Sequence, residues 1–195
     1  MSVLSFIKKL AIAFCLTAAV SLSVVAAPHE SIAQDTDKIT MQFLGFGANP
    51  DFYAVIQGSK LSGKSLVIYQ IGGQGPKLVY PLAKTSLEAA LSSKEVAPYG
   101  INANYVAGIN APAGFQLGGM IIGENMQLTL NAGEQSMTLG YAPIFTDPTK
   151  TKVAQISIVN AFWTPDSKRV VIILNQKLNG GWAVDTDVLA AYTLN

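Results

Sequence analysis

The sequence predicts an α+β fold dominated by β-structure, with antiparallel sheets built from hairpins and one amphipathic helix packed on a face. Three observations lead there. Short apolar or alternating runs recur along the chain, separated by clusters of Gly, Pro, Asn and Asp. Only one stretch, residues 85–96, combines helical spacing with a start and a stop signal. No linker divides residues 34–195, so they read as a single β-rich domain.

Residues 1–33 read as a signal peptide. Lys8 and Lys9 form a positive start, and residues 10–25 form an uncharged apolar core too short for a comfortable membrane span. Cleavage after Ala33 would place Ser31 and Ala33 at the small-residue positions, with Pro28 breaking the helix upstream. Cleavage after Ala26, using Val24 and Ala26, competes with it, and retention as an uncleaved anchor is the remaining reading. The first choice is preferred, and it makes the protein periplasmic or secreted.

The domain then unfolds in order. Residues 38–46 alternate Ile39, Met41 and Phe43 against Thr40 and Gln42, the mark of a half-buried strand. Ala48, Asn49, Pro50 and Asp51 make a turn, because Pro fixes φ and Asn and Asp bond their own backbone. A second strand follows, with Phe52, Ala54 and Ile56 alternating with Tyr53, Val55 and Gln57, and then a third over 65–71, closed by Gly72, Gly73, Gly75 and Pro76. Residues 77–80 add a short fourth.

The helix begins with a capping box of Thr85 and Glu88, places Leu87, Ala90 and Leu91 on one face, and is stopped by Pro98 and Gly100. Residues 101–123 are apolar yet rich in Gly, Ala and Asn, and give no clear order; Gly118 and Gly119 suggest a bulge or a close backbone approach. Over 126–141 a hairpin is expected, with Met126, Leu128 and Leu130 facing one way, a turn at 131–134, and Met137, Leu139 and Tyr141 returning on the same face. A polar loop over 143–152 precedes strands at 153–163 and 170–174, joined by Thr164-Pro165-Asp166-Ser167-Lys168, and a last strand at 188–194.

Composition narrows the chemistry. Half of the 195 residues are hydrophobic and 13% are charged. Loss of residues 1–33 removes Lys8, Lys9 and Glu30, so 13 basic and 12 acidic residues become 11 and 11. A neutral chain with no basic stripe is a poor partner for nucleic acid. Cys15 lies inside the leader and His29 is lost with cleavage after Ala33. The remaining chain cannot form a disulfide, a thiolate nucleophile, a metal site built on His and Cys, or a Ser-His-Asp triad. No cofactor and no metal are expected.

One motif carries a chemical name. Gly58, Gly63, Lys64 and Ser65 fit the phosphate-loop pattern G-x-x-x-x-G-K-[ST]. That loop works only at the N-terminus of a helix, where free N–H groups wrap the phosphates. Here the residues after Lys64 read as a strand, so the match is taken as accidental and the segment as a hairpin loop.

Among carboxylates, Asp185 and Asp187 in VDTDV are the best pair, since on a strand they would share a face and could divide acid and base roles or share a cation. The alternative is a solvated loop before the last strand. Asp147, before Pro148, reads as a turn former. Trp163, Trp182, Tyr99, Tyr105 and Tyr141 could line a sugar or peptide groove or simply fill the core. The ligand-binding candidates are therefore Trp163, Trp182, Asp185 and Asp187.

Two likenesses accompany this reading. Residues 163–171, WTPDSKRVV, resemble the strand-turn-strand unit of periplasmic propeller repeats, with a looser copy over 46–55; two copies do not make a propeller, which needs about four or more blades. Phe43-Leu44-Gly45-Phe46 followed by Tyr53-Ala54-Val55, the helix end at Tyr99-Gly100-Ile101, Leu128-Thr129-Leu130, and a C-terminal strand pair around Gly180 and Gly181 resemble a family of bacterial predicted secreted proteins of unknown function. Where that family carries an Asp-Gly-Ser-Gly-Phe-Pro loop, this chain has residues 58–64. The resemblance implies export and a β-rich fold, and brings no activity with it.

The functional expectation is an exported, non-enzymatic binding or structural module of the cell envelope. It would contact an envelope protein, a peptide or a glycan through sheet edges and exposed aromatics. A secreted hydrolase using Asp185 and Asp187 is the alternative.

Overall fold

A computed structural model describes residues 38–112, 114–123, 125–144, 155–178 and 184–194. The leader, Asp147 and most of its loop, Gly180, Gly181 and Trp182 lie outside the described residues. Within them the fold is β-dominated and antiparallel, with almost no helix. No helix among the described residues is long and apolar enough to cross a membrane.

Strands β1 (Thr40–Phe46), β2 (Phe52–Ser59), β3 (Gly63–Gln70) and β4 (Pro76–Pro81) form the first sheet as a meander in chain order. The outer sheet is another meander, of β6 (Gln116–Ile122), β7 (Asn125–Ala132) and β8 (Gln135–Pro143). Between them in the packing lies a central sheet of order β11-β10-β9-β5, from β5 (Val106–Ala107), β9 (Gln155–Trp163), β10 (Arg169–Leu178) and β11 (Val184–Thr193).

Strand β10 shows why the layers stack this way. Val170, Val171, Ile172, Ile173 and Leu174 are all buried, so both faces of the strand are covered, as an unbroken apolar run requires. Val170, Ile172 and Leu174 pack with Trp163 and with Leu128 and Leu130 of the outer sheet. Val171 and Ile173, of opposite parity, pack with Phe162 and with Phe43, Tyr53 and Val55 of the first sheet. Phe43 and Phe162 stack across that layer with ring centroids 4.4 Å apart. The first sheet is also covered on its far side, where Ala54, Leu66 and Ile68 meet Ala90 and Val96. Each such side chain contributes on the order of 1.5–3 kcal/mol by leaving water.

The helix is shorter than the spacing suggests. Helix α1 is Leu87–Leu91, and its N-cap is Ser86, whose hydroxyl accepts from Ala89 N–H at 3.1 Å, not Thr85. It ends early because serine competes for the backbone: Ser93 Oγ accepts from Val96 N–H at 3.3 Å, and Ser93 O takes Ala97 N–H at 2.9 Å. A 3₁₀ turn at Ala97–Tyr99 follows, and Gly100 leaves it at φ 57°. The next residues press on β1 so closely that a Cβ on Gly45 would overlap the Asn102 carbonyl, while Asn102 N–H donates to Phe46 O at 2.9 Å.

Two other expectations are corrected. An extra residue in β8, opposite the step from Leu128 to Thr129, breaks the alternation of the outer hairpin. Met137 still sits opposite Leu130, but Tyr141 falls opposite Gln127 and is 58% exposed, away from the face of Leu128. Strand β11 starts at Val184, four residues before the expected 188, so Asp185 and Asp187 lie in a strand and not in a loop.

The two Pro-Asp turns meet. Asn49 Oδ1 accepts from Asp51 N–H at 3.0 Å in the first; in the second, Asp166 Oδ1 takes Lys168 N–H at 3.0 Å and the Thr164 hydroxyl at 2.6 Å. These bonds hold the Asp166 carboxyl below its ordinary pKa. Arg169 Nε then donates to Asp51 Oδ1 at 2.7 Å, joining the first sheet to the central one. Being partly exposed, that pair contributes about 0–1 kcal/mol.

Candidate functional site

The acidic pair is built into the fold. Asp187 Oδ2 accepts Met41 N–H at 2.9 Å, its Oδ1 accepts Asn175 Nδ2 at 3.0 Å, and its own N–H donates to Ile39 O at 3.0 Å. Both carboxylate oxygens thus fasten the start of β1 to β10 and β11, beside a parallel bridge between Ile39 and Thr186. Asp185 lies two residues earlier, opposite Lys177, with its side chain outside the described part. Among the described residues no cluster of His, Cys, Asp or Glu could hold a metal ion.

The aromatic candidates separate. Trp163 is 0% exposed in the core, with its ring N–H donating to Gly108 O at 2.8 Å, so it offers no face to a ligand. Tyr99 packs edge-on against Phe52, and Tyr105 packs edge-on against Phe43 and Phe162. Trp182 is outside the described residues. The phosphate-loop segment is a hairpin: Gly58 pairs with Lys64 and Gln57 with Ser65, and Gly63 opens strand β3 at φ 72°. No helix N-terminus lies behind Lys64.

Of the four that are described, Tyr141 lines a cleft, and there it meets three further tyrosines. A cleft of about 370 Å³ is lined by residues of all three sheets. The first sheet supplies Tyr53, Tyr69 and Gln70, and the turn after β3 supplies Gly72, Gly73 and Gly75. The outer sheet supplies Tyr141 and Ala142, and β11 supplies four consecutive residues, Leu189 to Tyr192.

Each tyrosine is placed by its strand. Tyr53 and Tyr69 are cross-strand partners in β2 and β3, with rings stacked at 5.6 Å. Tyr192 lies across Gly140, where a Cβ would collide with its ring, so glycine lets the outer sheet close on β11. Tyr69 donates its hydroxyl to Gln57 Oε1 at 3.4 Å, and Gln57 faces Ser65 on the neighbouring strand. Burial pushes the hydroxyls of Tyr53, Tyr69 and Tyr192 above the ordinary value of 10.0, Tyr53 furthest, with Tyr69 beside it adding to the shift. They remain neutral O–H groups, able to donate and to accept, throughout the physiological range.

Among the described residues that line it there is no carboxylate, amine, imidazole or thiol, and the only hydroxyls are phenolic. What it can do chemically is stack, hydrogen-bond and exclude water. Comparison of the chain with family profiles, with curated proteins and with solved structures finds no match, so the geometry of this cleft is what speaks for its role.

Proposed function

We propose that this chain is an exported binding module, periplasmic or secreted, which acts by contact with an envelope component seated in the tyrosine cleft. The observation that carries this is the composition of the cleft wall among the described residues: four tyrosines, one glutamine, and small or apolar residues, with no group there able to act as a carboxylate base or an activated nucleophile. The leader with Lys8, Lys9 and the apolar run 10–25 supports export. A hydrolase built on Asp185 and Asp187 draws less support, because both oxygens of Asp187 already hold backbone and side-chain donors.

The test has two arms. Fractionation of the producing cells, with mass measurement, should find the protein outside the cytoplasm and shortened by residues 1–33 or 1–26. A photo-crosslinking residue at Tyr141 should give a discrete adduct in the native envelope, whereas one at Val159, exposed on the central sheet, should give none. Cytoplasmic retention, or identical products from both positions, would overturn the reading.

A further inference from the structure

The outer edge of β11 is what singles out the ligand. Among the described residues strand β11 ends the order of the central sheet, and β1 hydrogen-bonds to it at its start, through the bridge between Ile39 and Thr186 and through Met41 N–H on the Asp187 carboxylate. Asp187 points its N–H away from β10, toward Ile39 O. In an antiparallel ladder this direction repeats every second residue, so Leu189 and Ala191 turn their N–H and C=O groups to the same side. That side is the cleft, which is why residues 189, 190, 191 and 192 all line it without alternation.

Free edges are normally blunted by Lys, Pro or a bulge. The edge strand β4 follows that rule with Pro76, Lys77 and Pro81. Strand β11 does not: Val188-Leu189-Ala190-Ala191-Tyr192 has no charge and no proline, and its pairing with β10 runs without a register shift. Recession in a cleft protects this edge from indiscriminate pairing and leaves it open to a narrow partner.

Resting on the proposed role of the cleft, we propose that its ligand is an extended, uncharged peptide segment of another protein, which adds to β11 as a further strand of the central sheet. Four residues of strand span roughly 13 Å, matching the exposed edge. Side chains of such a strand alternate between its two faces. One set would meet Tyr53 and Tyr69, on the first-sheet side of the cleft; the other would meet Tyr192, on the outer-sheet side, with exposed Tyr141 at the rim. The peptide's central residues are uncharged because the described residues of the wall offer no partner for a buried charge.

A phage-displayed library of random uncharged octapeptides, selected on the full-length exported protein, tests this. The expected outcome is enrichment of alternating β-branched and aromatic sequences. N-methylation of the enriched peptide at one set of alternate residues should weaken binding by up to about tenfold per bond lost, and at the other set hardly at all. Ala191→Pro, which removes an edge N–H without touching the ladder to β10, should weaken it similarly; the N-methyl series on the unmodified protein stands even if that variant misfolds. Peptides indifferent to N-methylation in both sets would overturn strand addition and leave the cleft a binding site. So would chitotetraose binding at Tyr69 and Tyr192 with no peptide enriched, or a dimer abolished by Ala191→Pro. Neither peptide nor oligosaccharide binding would overturn both readings.

Discussion

The central and outer sheets treat neighbouring residues differently. Along β10, Ile172 and Ile173 are both buried, one against the outer sheet and one against the first. Along β7, buried Met126, Leu128 and Leu130 alternate with half-exposed Gln127, Thr129 and Asn131. The number of covered faces is written in the spacing of apolar residues: every residue for a strand between two layers, every second residue for a strand with one face in water. Stability should follow the same division.

The largest effect is expected at Trp163, which fills the layer between the two sheets. Trp163→Ala should lose about 3–5 kcal/mol by urea unfolding and leave the Gly108 carbonyl without its donor. Ile172→Ala and Ile173→Ala should each lose about 2–5 kcal/mol, whereas in the outer sheet Leu128→Ala should do so and Thr129→Ala should stay within about 0.5 kcal/mol. A large loss at Thr129 would mean that the outer face is covered and would break the comparison.

Asp187→Ala should lose about 1–3 kcal/mol, because Met41 N–H is left without an acceptor in a half-buried corner. The cleft tyrosines sharpen the contrast through pH. A phenol whose folded pKa exceeds its unfolded value contributes stability that is complete below pH about 10 and falls as pH rises toward the folded value. Unfolding free energy should therefore decline above pH about 10, and Tyr53→Phe should flatten that decline. The smallest effect is at the second Pro-Asp turn, where Ser167 adopts φ 56°. Asn tolerates that conformation better, so Ser167→Asn should raise the melting temperature by an amount corresponding to no more than about 1 kcal/mol.

Much of the fold was legible because strand patterns are local. Alternation located β1 and β2, and the glycine-proline cluster at 72–76 separated β3 from β4. What escaped depends on partners. Serine hydroxyls at 86 and 93 moved and shortened the helix, although its leucines sit where the spacing put them. One inserted residue in β8 turned Tyr141 outward, and a single residue of slip reverses a strand's faces. VDTDV left strand and loop open, because the donors that satisfy Asp187 come from Met41 and Asn175, elsewhere in the chain.

The cleft was the least legible part. Tyr53, Tyr69, Tyr141 and Tyr192 come from three sheets, and nothing in their spacing announces a meeting. Trp163 drew attention by size and proved to be core. A usable signal did exist in the unguarded run Val188 to Tyr192, which lacks the Lys and Pro that protect β4.

The bridge between Ile39 and Thr186 has a kinetic consequence. It ties the earliest strand described to the latest, so the corner of the fold cannot close until β11 has been made. Contacts this distant along the chain slow folding into the millisecond-to-second range. The first sheet, whose four strands pair with one another in chain order, can assemble sooner, and the completed domain must wait for its last strand.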